Sequence, residues 1–133
     1  INSPKQNTWY GLAFERLCMA HIPQIKEALG IQRIRTEYYS WRSKESVPAA
    51  QVDLIIERAD QIISLCDIKY SKGAYAIDAK EEERLRNRMT DFADETKIKE
   101  AVQLVMITTY GMKESAHSSE VTDRVVLDDL FKS

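Results

Sequence analysis

Two apolar runs, Val52 to Arg58 and Ile62 to Tyr70, are separated by only the three residues Ala59-Asp60-Gln61. Apolar stretches of this length without helical spacing read as strands buried on both faces, and so short a connection permits only antiparallel pairing. The chain therefore has to build on a buried β-hairpin, with further layers against both of its faces.

The flanking segments supply those layers. Upstream, Trp9, Leu12, Ala13, Leu17 and Ala20 recur at helical spacing behind a cap at Asn7 or Thr8, which predicts a helix over 8–21. Pro23 fits the first turn of a short second helix that runs through Ile25 and Leu29 and stops at Gly30. Ile34 to Trp41 is rich in β-branched and aromatic residues and predicts the first strand. Downstream, Asp78 caps a charged helix, AKEEERLRNRMTDFADE, whose narrow apolar stripe is Ala79, Leu85, Met89 and Phe92. Ala101 to Tyr110 is a continuous apolar strand stopped by Gly111, and Val121 to Leu127 is the last strand before a short turn at Asp128 to Leu130. The order α-α-β-β-β-α-β-β describes an α/β fold with a mixed central sheet flanked by helices. Only the connection across the long helix is required to join parallel strands.

At 133 residues, the length suits a single domain over 1–133. A 44% hydrophobic and 30% charged composition argues against a disordered chain, and no apolar run approaches the roughly 20 residues needed to span a bilayer. No secretion signal is evident, and Cys18 and Cys66 sit in apolar runs without a ligand pattern. Both features predict reduced core thiols in a cytoplasmic protein. The net charge of -2 excludes nucleic-acid binding by bulk positive charge, so any phosphate-binding surface must be local.

Within this apolar frame, charged residues in the hairpin strands need an explanation: Asp53 in QVDLII, and Asp67 with Lys69 in LCDIKY. Alternation along a strand puts Asp67 and Lys69 on one face, about 7 Å apart. A two-residue turn sets Asp53 opposite Cys66, whereas a three-residue loop sets it opposite Asp67. In the second register two carboxylates converge beside an ammonium group. Mg²⁺ or Mn²⁺ held by two carboxylates and water can activate a water and neutralise charge on a phosphodiester, with Lys69 positioning the attacking water. A buried ion pair or solvated strand-end charges are the competing reading of the same three residues.

Asp53, the Asp67-Ile68-Lys69 triplet and the element order together resemble the PD-(D/E)XK, or restriction endonuclease-like, superfamily. More narrowly, QVDLIIERAD, ISLCDIKYS and MITTYG resemble the nuclease-like domain at the C-terminus of some prokaryotic AAA-type ATPases. Val52 stands where the superfamily has proline, and the second acid is Asp67 rather than the commoner Glu. The resemblance implies a metal-dependent nuclease, acting on DNA before RNA, with Asp53, Asp67 and Lys69 catalytic. It also implies Glu15 of the first helix as a further acid at the metal, with Glu37 as its competitor. It further implies a C-terminal piece of a longer protein with an N-terminal ATPase domain, and it allows a homodimer. A module of the same fold that binds nucleic acid or docks an ATPase without turnover is the alternative. Gln51, on the face of Asp53, is the candidate for orienting substrate or water. Lys80 and Arg84, four apart on one helix face, are the candidate phosphate contacts, with Lys72, Arg88, Lys97 and Lys99 read as solvated.

Overall fold

The computed structural model describes residues 4–132. Its elements follow the order read from the sequence: α1 (Pro4–Met19), α2 (Ile22–Ala28), β1 (Thr36–Arg42), β2 (Gln51–Arg58), β3 (Ile62–Lys69), α3 (Ala79–Thr96), β4 (Ala101–Thr108), β5 (Val121–Val126) and a closing 3-10 turn (Leu127–Phe131). Among the described residues, five strands form one sheet in the order β1-β2-β3-β4-β5. β1/β2 and β2/β3 are antiparallel, and β3/β4 and β4/β5 are parallel. The fold is therefore α/β with a mixed sheet.

Three details depart from the sequence reading. β4 and β5 are also parallel, joined across residues 109–120 without a helix, so two crossovers rather than one serve parallel pairs. α1 starts at Pro4, so Asn7 and Thr8 lie inside it rather than capping it; proline, with φ already helical and no N–H to satisfy, suits the first turn. The buried face of α1 is Phe14 and Cys18, with Leu17 and Met19 packed beside them, while Trp9 and Leu12 are 64% and 51% exposed. A helix laid on a sheet face buries whichever of its apolar stripes meets the sheet, and here that is the Phe14 and Cys18 stripe.

The sheet is packed on both faces. Phe14, Cys18, Ile22, Ile25 and Ile31 cover one face against Leu54, Ile56, Cys66, Val105, Ile107 and Val125. Leu85 and Phe92 of α3 cover the other against Val52, Ile55, Ile63, Leu65, Leu104 and Met106, and Phe92 meets Trp41 edge to face at 5.3 Å. Ala79 is exposed, and Ile77 just before the helix takes its place in the core. Asp78 caps α3 by accepting the Glu81 N–H at 2.8 Å.

The β2/β3 hairpin has the three-residue loop and its register, Leu54 opposite Cys66 and Glu57 opposite Ile63. Gln61 adopts φ of 69°, and the Arg58 guanidinium grips Asp60 with two bonds of 3.0 and 2.6 Å across the loop. A three-residue hairpin loop closes with its last residue left-handed, which is Gln61's role here.

Candidate active site at the open end of the hairpin

β2 and β3 run antiparallel, so the start of β2 and the end of β3 lie at the same end of the sheet. That end carries Gln51, Asp53, Asp67 and Lys69. The way these side chains face is set by an irregularity in β2. Tyr39 pairs with Ile55 and Trp41 with Val52, so Asp53 and Leu54 together stand against the single residue Ser40. Two residues against one is a β-bulge, which re-aims a side chain locally. Val52 and Ile55 consequently face α3, while Leu54 faces α1 and α2.

Asp53 turns with Leu54 toward α1, where its carboxyl group is in hydrogen-bond contact with that of Glu15. Partial burial and the neighbouring Asp53 raise the Glu15 carboxyl above its ordinary pKa, because two carboxylates in contact resist double ionisation. Gln51 donates from Nε2 to Asp53 Oδ1 at 3.1 Å and accepts from Arg42 Nη1 at 3.2 Å, which holds the Asp53 carboxylate in place.

Asp67 keeps the alternation of Ile63 and Leu65 and faces α3. The expectation that Asp53, Asp67 and Lys69 share one sheet face is corrected by the bulge. Asp67 is buried, with Oδ1 accepting from Arg88 Nη1 at 2.9 Å and Oδ2 3.7 Å from Lys69 Nζ. Burial raises its pKa, while Lys69 and Arg88 pull it the other way. Asp67 Oδ2 and Arg88 Nε are both buried without a hydrogen-bond partner among the described residues. Beyond Lys69, Tyr75 donates to Glu81 and Glu81 also accepts from Arg84. Burial opposes the charge on Glu81, yet these hydrogen bonds and Lys69 hold its pKa below the usual value.

Lys69 links the two sides. It lines a cleft of about 410 Å³ together with Glu15, Gly11 and Leu12 of α1 and with Tyr70 and Lys72 after β3. Tyr70 stacks on Tyr10 at 5.6 Å on α1. Lys80 and Arg84 lie apart from this cleft, on the wall of a cavity of about 830 Å³ between α3 and residues 46–50 that Arg88 also lines. Glu37 is exposed on β1 opposite Glu57, at the loop end of the hairpin, away from Asp53 and Asp67. Arg88, read from the sequence as solvated, belongs to the site instead, and its spacing holds the signal: Leu85, Arg88 and Phe92 lie on one helix face.

Among the described residues no three of His, Cys, Asp and Glu stand close enough to form a ready ligand group. The donors present nonetheless suit a hard divalent cation. Glu15 and Asp53 bring two carboxyl groups together on the α1 side of the sheet, whereas Asp67, on the α3 side, is paired with Arg88 and Lys69. Mg²⁺ keeps several of its waters, so a site of two carboxylates needs no third protein ligand.

No protein-family model matches the chain, and no curated protein sequence matches it significantly. A solved structure described as a protein of unknown function, AF1548, is similar in fold, with a TM-score of 0.56 and 14% sequence identity. The match covers 86% of this chain and 64% of that one, so this chain spans less than two thirds of that protein. The likeness concerns the fold alone. No helix among the described residues is long and apolar enough to cross a membrane.

Proposed function

We propose that the chain is a metal-dependent phosphodiesterase domain of the PD-(D/E)XK type that hydrolyses nucleic acid, DNA before RNA. The observation that carries this reading is the cleft in which Glu15, in contact with Asp53, and Lys69, paired to Asp67, line one space at the open end of the hairpin. Glu15 and Asp53 would hold Mg²⁺ or Mn²⁺ on the α1 side of the sheet, while Asp67, on the α3 side, holds Lys69 in place. When bound, the cation supplies Lewis acidity and a water of lowered pKa. Gln51 keeps Asp53 oriented, and Lys69, which lines the cleft and has a partly exposed side chain, would orient the attacking water or take up its proton. Lys72 at the cleft rim offers a positive charge to a phosphate. Lys80 and Arg84 would meet the backbone further along, on the α3 side.

The Arg88–Asp67 ion pair favours a second reading, since an acid already satisfied by a guanidinium can be purely structural. The chain would then be a module of the same fold that binds nucleic acid or docks an ATPase domain without turnover. The free, buried Cys18 and Cys66 agree with a reducing compartment such as the cytoplasm under either reading. Calorimetric titration with Mn²⁺ separates the two. The nuclease reading expects binding by the wild type and none by an Asp53→Ala, Asp67→Ala double variant. Absence of binding by the wild type favours the second.

A further inference from the structure

Two large apolar side chains of α1, Trp9 and Leu12, stand in the open instead of in the core. They belong to one helix stripe, Lys5, Trp9, Leu12 and Arg16, whose spacing of four, three and four residues puts all four side chains on one exposed face. Leu12 also lines the cleft of about 410 Å³, so the stripe forms the outer rim of the proposed site. Trp9 meets Tyr10 edge to face at 5.2 Å, and Tyr10 stacks on Tyr70, the residue after Lys69. Two ring contacts thus tie the exposed indole to the strand end that carries the lysine. We infer that Trp9 is a stacking platform for an unpaired base, and that the site takes single-stranded nucleic acid in preference to a duplex.

An aromatic face binds any base through its π surface, but only a base whose own face is free can use it. Inside a duplex each base is covered by its neighbours. The cleft is of the size that holds one nucleotide-sized group rather than the width of a duplex. Its charges agree. Lys69 and Lys72 stand on the β3 side, and Lys5 and Arg16 flank the two apolar residues of the stripe, a mix of cations and exposed ring that suits a flexible phosphate backbone. Glu15 is the one acid on the cleft lining among the described residues. A net charge of -2 gives the whole chain little long-range pull on a phosphate backbone, so stacking has to supply much of the grip. Trp9 is thus a specificity-determining residue, which touches the substrate beside the reacting phosphate and takes no part in breaking the bond.

This inference rests on the nuclease reading above, and binding measured in EDTA tests it apart from cleavage. The full chain is titrated with oligothymidylate and with the duplex that the same strand forms with oligodeoxyadenylate. The wild type should bind the single strand more tightly, with quenching of indole fluorescence; Trp41, on the α3 side of the sheet, supplies the unquenched signal. Trp9→Ala should weaken single-strand binding roughly ten-fold, remove the quenching and leave duplex binding unchanged, and Trp9→Phe, which keeps a ring, should restore most of the affinity. Equal wild-type affinity for the two nucleic acids, equal losses for both in Trp9→Ala, or no loss at all overturns the inference. Metal-dependent DNA cleavage alongside any of these leaves the nuclease reading standing, whereas neither binding nor cleavage overturns both. Quenching by anionic phosphatidylglycerol vesicles, with none by the oligonucleotide, assigns the stripe to a membrane surface and overturns the inference as well. Should Trp9→Ala fail to fold, the wild-type fluorescence decides: quenching by the single strand alone supports the stacking platform, and equal or absent quenching refutes it.

Discussion

Glu15 of α1 and Asp53 of β2 bring their carboxyl groups into hydrogen-bond contact across the space between helix and sheet. Partial burial and the neighbouring Asp53 raise the Glu15 carboxyl above its ordinary pKa. The contact exists because the β2 bulge turns Asp53 toward α1 and because Glu15 follows Phe14, the residue that docks the helix.

The sign of its pH dependence follows. A carboxyl whose pKa is higher folded than unfolded adds stability below its ordinary value of 4.5, and loses that contribution as pH rises through the raised value. Glu15→Gln should therefore be more stable than the wild type at pH 7 by about 0.5 kcal/mol, after allowing for solvent screening of a partly exposed pair. Near pH 4 that advantage should vanish. Thermal unfolding of both proteins from pH 4 to 8 checks this, and a difference independent of pH contradicts it.

Asp67 and Arg88 make a buried pair, and breaking one leaves the other charge uncompensated. Asp67→Ala should cost about 3 kcal/mol in urea unfolding, more than Lys69→Ala, whose side chain is partly exposed. Equal losses for the two variants would count against the pair as the dominant contact.

Much of this arrangement can be read from the chain, and where it cannot the reason is physical. The hairpin register follows from three loop residues between two apolar runs, and the α/β order follows from changes of hydrophobic period. The bulge at Asp53 and Leu54 left no mark in QVDLII, because an extra residue in a strand keeps its apolar composition and changes only which side each residue faces. For α1, periodicity favours Trp9, Leu12 and Leu17, but Phe14 and Cys18 form a second stripe, and only the sheet selects between them. Arg88 was masked by its charge: among so many ionic residues on α3, a cation at core spacing reads as solvated unless its buried partner Asp67 is known.

Phe92 tests how α3 is held in place. It is fully buried and meets Trp41 edge to face, so Phe92→Ala should cost about 3–4 kcal/mol by chemical denaturation. A loss below 1 kcal/mol would mean that Leu85 and Ile77 anchor the helix without it.

Gln51 connects Arg42 to Asp53 at the exposed start of β2. Gln51→Ala should leave the unfolding midpoint within about 0.5 kcal/mol of the wild type, as an exposed substitution. It should still weaken Mn²⁺ affinity several-fold, as loss of a group that orients a ligand does. Unchanged affinity would remove Gln51 from the site.

Hydrolysis of phosphodiesters by these residues is tested by cleavage of DNA with Mn²⁺ or Mg²⁺ by the wild type and Lys69→Ala. Nicking or cutting by the wild type, reduced at least about 100-fold in a folded Lys69→Ala, is the expected result, since the proposed function gives this lysine the attacking water. No cleavage of DNA or RNA by the wild type, or equal cleavage by both proteins, would contradict it.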